Sequence, residues 1–128
     1  MIKADAKKIA VFSSLIAGLI WGGWAFHINR AYGNSLDSAA IQFFCSAFST
    51  ATMSFVIIYI RGMYDSENLK LIMPPFVTVL LVASLLLSLH SLSGTENIIK
   101  TILPPCFVGF IYSCFFSFSL SKVQKIEH

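Results

Sequence analysis

Histidine, carboxylate, cysteine and serine side chains are the groups in this chain that could do chemistry. His27 and His90 are predicted to lie in one layer of the protein together with Asp37 and Glu96. Two imidazoles and two carboxylates suit a divalent transition metal, and an imidazole also titrates between about pH 5 and 8. The four residues come from separate segments without a fixed spacing. Histidines that anchor helix ends are the alternative, so we predict no metal site.

Nucleophilic chemistry finds no support in the sequence. The serines occur in no GxSxG motif, and there is no HExxH motif or glycine-rich phosphate loop. Cys45, Cys106 and Cys114 form no CxxC pair, so each is predicted to be a small apolar packing residue. We therefore predict that the chain is not an enzyme and holds no cofactor.

Four long segments without Asp, Glu, Lys or Arg contain these side chains: 9–29, 38–60, 71–95 and 101–121. A helix rises about 1.5 Å per residue, so about 20 apolar residues cross a hydrocarbon layer about 30 Å thick. Only 12% of the chain is charged, about half the usual share in soluble proteins. The helices of a soluble bundle would carry a charged stripe, and none does. A cleaved signal peptide is the alternative for the first segment, but Trp21 to Phe26 offers no small-residue cleavage site.

The sequence therefore predicts an all-α fold, a bundle of four transmembrane helices with antiparallel neighbours and short connections. The spans are expected at about 9–29, 38–60, 71–92 and 101–121, within one integral membrane domain over 1–128. Membrane lipid is the expected surrounding. Nucleic-acid binding is excluded because too little soluble surface remains to present a basic cluster.

The distribution of lysine and arginine predicts the orientation. Two of these residues, Arg30 and Lys100, fall on one side of the predicted membrane, and seven fall on the other. Because an excess of Lys and Arg marks the cytoplasmic side, we predict a bacterial cytoplasmic (inner) membrane with both termini in the cytoplasm. The bias also argues against dual topology. The seven are Lys3, Lys7, Lys8, Arg61, Lys70, Lys122 and Lys125.

Small residues recur at intervals of four on two of the spans. Such ridges let helix backbones approach closely in lipid. Two ridges exceed what one hairpin needs, so they favour a protein that acts through helix–helix contacts, as a homo-oligomer or as an accessory subunit of another membrane protein. Phe55 and Ile57, on other faces, are expected to meet lipid. The ridge residues are Ser14, Gly18 and Gly22 on span 1 and Gly109, Ser113 and Ser117 on span 4.

Polar side chains form a stripe on each of the two middle spans. They allow two interpretations: tight packing with hydroxyl-to-backbone bonds, or the lining of a polar pathway or pocket. The second makes the protein a channel or uncoupled transporter for a small neutral or anionic solute, which is our alternative hypothesis. Gln42 is also expected to hydrogen-bond in the layer of the histidines. The stripe residues are Gln42, Ser46 and Ser49 on span 2 and Ser84 and Ser88 on span 3.

The last two spans begin alike. The segment from Lys70 to Pro75 parallels that from Lys100 to Pro105, with a Pro-Pro pair in each. Consecutive spans run in opposite directions, so a true repeat would be inverted, as in many transporters. The alternative is that the prolines occupy the first turn of a helix, where a missing N–H costs nothing.

Over most of its length, the sequence resembles small four-helix inner-membrane proteins of bacteria. The resemblance rests on Trp21-Gly22-Gly23-Trp24-Ala25-Phe26-His27-Ile28-Asn29, on the Ser/Ala-rich span 2 and on Leu103-Pro104-Pro105. It implies a membrane location and no particular activity. The chain is also similar in size to the small multidrug transporters. They rely on a membrane-embedded glutamate in their first helix, which has no counterpart in span 1.

Overall fold

The computed structural model of the chain is a bundle of four long α-helices, which confirms the predicted fold class. It describes the backbone of residues 2–126 and the side chains of residues 8–9 and 11–122, and this part contains no strand. Lys3, Lys7 and Lys125, which enter the charge count above, lie outside the described side chains. Each helix is long and apolar enough to cross a membrane. The helices are α1 (Ile2–Asn29), α2 (Ser35–Arg61), α3 (Glu67–Leu92) and α4 (Ile98–Ile126).

Neighbouring helices are antiparallel and form a four-cornered bundle. α1 packs on α2, α2 on α3 and α3 on α4, while α4 also touches α1 and α2. α1 and α3 stand at opposite corners, and their described residues do not pack against each other. We call the end at which α1 begins and α4 ends the terminal end. The other end, with the α1–α2 and α3–α4 connections, is the distal end.

α1 and α2 approach each other closely at two glycines of α1. A Cβ atom placed on Gly18 would lie 3.0 Å from the backbone oxygen of Phe43, and one on Gly22 would lie 3.1 Å from the oxygen of Ala39. A larger residue at either position would push the two helix backbones apart, because a backbone oxygen cannot move aside as a flexible side chain can. Gly18 and Gly22 of the span 1 ridge therefore form a contact between two helices of the same chain.

The prolines do not lie in first helical turns, so the first-turn explanation is wrong. α3 begins at Glu67, ahead of Pro74 and Pro75, and α4 begins at Ile98, ahead of its own pair. The charge-free windows placed both starts too late, because a helix continues through charged residues that reach the membrane surface. Each proline lacks the N–H that would bond the carbonyl four residues earlier. Carbonyls at Lys70 and Lys100 are thereby left for other donors.

Large apolar side chains cover the outside of the bundle, as a surrounding hydrocarbon layer requires. Phe55 is 74% exposed, but Ile57, which was also expected to face lipid, is fully buried. The reason is helical phase. Ile57 follows Ser49 and Met53 at intervals of four and continues their inward stripe along α2.

Candidate functional site

A cavity of about 210 Å³ lies between the four helices, near the middle of their length. Every helix contributes to its wall: Trp21 from α1, Ser49 and Met53 from α2, Leu86 from α3 and Gly109 from α4. The inward side chains are small or branched rather than aromatic along much of this level, so the helices leave space instead of filling it. We refer to this space as the central cavity.

The wall of the central cavity is mainly apolar. Val79, Val82 and Leu86 form the α3 side, and none of the described side chains that line the space is charged. Its polar groups include the hydroxyls of Ser46 and Ser49 on α2. Such a surface favours a neutral, partly apolar occupant over an ion, because a charge would lose its hydration without gaining a partner.

The structure places only part of the predicted polar stripe in the cavity wall. Ser46 and Ser49 line it, and Gln42 lies just distal to Ser46, to which its amide nitrogen donates a hydrogen bond of 3.1 Å. Ser84 and Ser88 do not line it, since they lie on the exposed side of α3, where the Ser88 hydroxyl bonds the backbone oxygen of Ser84. Their assignment to a pore or pocket is therefore corrected. The physical reason is helical phase, because Leu86, two positions from each serine, is the residue that faces inward.

The span 4 ridge also faces the interior. Ser113 is fully buried, donates to the oxygen of Gly109 at 2.8 Å and lies 3.5 Å from the sulfur of Met53. Ser117 is fully buried too, and Ser14 on α1 is buried. Both small-residue ridges are therefore occupied by contacts within one chain.

A hydrogen-bonded group of polar side chains, the distal cluster, closes the space between α2 and α3 beyond the cavity. It consists of Ser38, Gln42, His90 and Thr95, each at most 5% exposed. His90 Nε2 lies 3.0 Å from Gln42 Oε1, and His90 Nδ1 lies 2.9 Å from Thr95 Oγ1. The hydroxyls of Ser38 and Thr95 are 2.9 Å apart. The prediction that Gln42 hydrogen-bonds in the histidine layer is confirmed.

The hydrogen bonds of Gln42 indicate which groups of the distal cluster donate and which accept. Its amide nitrogen donates to Ser46, so its oxygen must accept from His90 Nε2–H. Nδ1 of a neutral His90 then accepts from the Thr95 hydroxyl, which in turn accepts from Ser38. Both ring nitrogens are thus occupied without a charge. Through Ser46, the chain of bonds runs from the α3–α4 connection to the cavity wall.

The two histidines predicted in one layer do not form a common site. His27 is exposed and pairs with the ring of Trp24 at 6.3 Å between centroids, whereas His90 is fully buried. No group of three or more His, Cys, Asp or Glu side chains that would hold a metal occurs within the described residues. His90 has a structural role in the distal cluster.

A second set of bonds ties α1 to α4 at the distal end. The Asn29 amide nitrogen donates to the Thr101 hydroxyl at 2.8 Å, and its amide oxygen accepts from the backbone N–H of Asn97 at 3.1 Å. The Trp24 indole N–H donates to the oxygen of Lys100 at 3.0 Å. That oxygen is the one left without its helical partner by Pro104.

Arg61 forms the centre of a third group, the terminal cluster, which the sequence analysis missed. Its side chain is 4% exposed. One guanidinium nitrogen donates to the backbone oxygens of Lys70 at 2.9 Å and Ser117 at 3.1 Å, and to the Ser117 and Ser121 hydroxyls at 3.2 and 3.1 Å. Pro74 leaves the Lys70 oxygen without its helical N–H donor, so this oxygen can accept from Arg61. The sequence feature that could have indicated the terminal cluster is an arginine at the end of one helix, followed by a Pro-Pro pair in the next helix.

Comparison with known proteins does not identify a family for this chain. No protein-family model matches the chain, and no curated protein or solved structure is similar to it. Any function must therefore be argued from the central cavity and from the polar clusters that close the bundle at its two ends.

Proposed function

We propose that this chain is a membrane carrier or channel for a small neutral solute, which occupies the central cavity during its passage. The observation that carries the proposal is the cavity of about 210 Å³ between all four helices. Sites between the helices of a bundle are common places for small-molecule binding. The distal and terminal clusters close the bundle beyond the cavity with hydrogen bonds, which can open and re-form without breaking the helices.

The cavity wall supports a neutral solute rather than an anionic one. An anion would need a cation or several donors in the wall, and the described residues of the wall carry no charge. The described donors of Arg61 are directed at backbone oxygens and serines of α3 and α4.

Flux through reconstituted protein tests this function. We expect liposomes that contain the protein to swell faster than empty ones in gradients of small neutral solutes, such as glycerol, propanediol and butanediol, in stopped-flow light scattering. Ser49→Leu and Gly109→Leu fill the cavity and should each reduce the protein-dependent rate at least tenfold. Ser84→Leu is the matched control, because it adds the same side chain on the exposed face of α3 and should leave the rate unchanged.

Each outcome has a defined meaning for the proposal. Equal rates for Ser84→Leu and Ser49→Leu, with similar thermal unfolding, contradict transport through the cavity. Equal rates for empty and protein-containing liposomes with every solute in the series contradict the function altogether. Gly109→Leu provides an independent obstruction from α4, because Met53 is the nearest side chain to a Cβ at that position, at 3.5 Å.

Helix–helix association, the other function predicted from the sequence, is our second candidate. The two ridges are used within the chain, but one shallow groove on the outside of α1 and α2 has a floor of small residues, including Gly23, Ala39 and Ala40. A helix of a second copy could approach closely there. Native mass spectrometry should then show a dimer that Ala40→Trp converts to monomer, and a wild-type monomer would contradict it.

We also propose a bacterial inner membrane as the location, with both termini in the cytoplasm. The support is the asymmetry of Lys and Arg between the two ends of the bundle. The resemblance to small four-helix inner-membrane proteins agrees with this location. Membrane lipid is the expected surrounding, with a second copy or another membrane protein as the partner under the second candidate function.

A further inference from the structure

The central cavity opens sideways between α1 and α4. The described hydrogen bonds between these helices lie at the distal end, on Trp24, Ile28 and Asn29 of α1. Below them the cavity wall includes Val108 and Tyr112 of α4, which are 49% and 46% exposed. Because these two residues line the cavity and are also exposed at the surface of the bundle, we infer that the cavity reaches the surface beside them. We call this opening, between Trp21 on α1 and Val108 and Tyr112 on α4, the mouth.

The mouth lies at a depth where lipid chains, not water, surround the protein. Val108 is near the middle of the α4 segment Ile98–Lys122 that is apolar enough to cross a membrane. At about 1.5 Å per residue, it is about 15 Å from the end of that segment at Ile98. Tyr112 forms one edge of the mouth, where its hydroxyl lies 3.2 Å from that of Ser54 on α2. A molecule dissolved in the bilayer would meet an apolar entrance with aromatic edges.

Two hydroxyl residues of the cavity wall, Ser49 and Thr50, form no side-chain hydrogen bond with other described residues, and of these Ser49 is buried and Thr50 exposed. The Ser49 side chain is only 9% exposed, and its hydroxyl makes no hydrogen bond with the described residues. The Ser49 oxygen is not among the fully buried unpaired atoms, so it is open to the cavity that it lines, where a ligand can form a hydrogen bond with it. Ser46, by comparison, already accepts from Gln42. Ser49 is therefore the point at which a ligand's polar group would bind.

The size and the rest of the wall define the remainder of the ligand. A dry apolar cavity of about 150 Å³ holds benzene, so about 210 Å³ suits a molecule of about eight to ten non-hydrogen atoms. Across from Ser49, the α3 wall consists of Val79, Val82 and Leu86. This surface suits an apolar body.

We propose that the central cavity binds a small neutral amphipathic molecule, a phenol or an alcohol with an apolar body, and that this molecule enters from the bilayer through the mouth. Its hydroxyl bonds Ser49, and its body lies against α3. This inference names the ligand class of the cavity described above, and so it rests on the proposed function. Binding and flux are nevertheless separate measurements.

Quenching of Trp21 fluorescence tests the ligand class. The chain has two tryptophans, so Trp24→Phe leaves Trp21 as the reporter in phosphatidylcholine nanodiscs. We expect para-bromophenol to quench it saturably. Ser49→Ala should weaken this binding about threefold to tenfold, because one hydrogen bond is lost, and should leave the affinity for bromobenzene unchanged. Ser84→Ala, on the exposed face of α3, should change neither affinity.

The outcomes separate the ligand class from the function. Unsaturable quenching, or equal quenching in Gly109→Leu, shows partition into lipid and overturns the ligand proposal. Equal loss of both ligands in Ser49→Ala overturns the hydrogen bond at that residue. Saturable, Ser49-dependent binding without protein-dependent flux of any solute leaves this inference standing and overturns the proposed function.

Lipids brominated in the middle of the acyl chain test the mouth in the same nanodiscs. We expect them to quench Trp21 strongly, and para-methylphenol to relieve part of that quenching by occupying the cavity. Iodide, which stays in water, should quench Trp21 little. Strong quenching by iodide together with weak quenching by the brominated lipids would show an aqueous entrance and overturn entry from the bilayer.

Discussion

Replacing Arg61 by leucine is expected to lower the free energy of unfolding by about 3 kcal/mol. The guanidinium donates to groups on α3 and α4 from the end of α2, and a hydrogen bond from a charged donor contributes about 1.5–3 kcal/mol. Removing a buried charge offsets part of this loss. The Lys70 oxygen, however, has no helical donor because of Pro74, and it would keep only the Ser117 hydroxyl. Titration of mixed micelles with dodecyl sulfate, followed by circular dichroism, measures the change.

The chain's other arginine is the matched control. Arg30 is exposed, so Arg30→Leu should change the free energy of unfolding by less than about 0.5 kcal/mol. Arg61→Lys keeps the charge but loses the planar set of donors, and it should fall between the wild type and Arg61→Leu. Equal stability of the two leucine variants would show that the terminal cluster does not hold α2, α3 and α4 together.

The number and type of the helices could be predicted because membrane crossing imposes a strong constraint on composition. A charge near the centre of a bilayer costs at least about 2.5 kcal/mol, so charge-free windows locate each crossing. The ends were less well located. α3 begins at Glu67 rather than at 71 and α4 at Ile98 rather than at 101, because the windows mark hydrocarbon and not the helix itself.

The central cavity could be predicted only in part, because the spacing of serines along a helix does not show whether they face the interior of the bundle or the outside. Ser49 and Ser84 lie near the middles of neighbouring spans and look equivalent in the sequence. On α2 the serine stripe continues into Ile57 and faces inward. On α3 the inward positions are Thr78, Leu86 and His90, and the serines face outward. Hydroxyls can do so at little cost by bonding their own helix backbone, as Ser88 does.

The Pro-Pro pairs have a common role that neither sequence interpretation contained. Pro74 frees the Lys70 oxygen near the terminal end, where Arg61 of α2 bonds it. Pro104 frees the Lys100 oxygen at the distal end, where Trp24 of α1 bonds it. Each pair thus converts a broken bond within one helix into a bond between two helices. Whether the two segments descend from an inverted repeat stays a prediction, but their use in the bundle is the same.

The double replacement Gly18→Ile and Gly22→Ile is expected to prevent α1 from packing on α2. A Cβ at either position would lie 3.0–3.1 Å from a backbone oxygen of α2, so the helices must separate. Overpacking costs about 1–3 kcal/mol at each site, and separation also leaves the cavity without its α1 wall. We expect a loss of about 2–6 kcal/mol in the dodecyl sulfate titration. Trp21 should become more accessible to mid-chain brominated lipids.

Gly23→Ile separates this packing effect from the effect of isoleucine itself. Gly23 is on the same helix, but a Cβ there meets nothing within 4 Å. Its substitution should leave the free energy of unfolding within about 0.5 kcal/mol of the wild type. If the Gly18/Gly22 ridge served a second copy instead, the double variant would form a stable monomer with an unchanged unfolding curve. Because the ridge contacts Phe43 and Ala39 of the same chain, we expect the variant to lose its fold rather than only a partner.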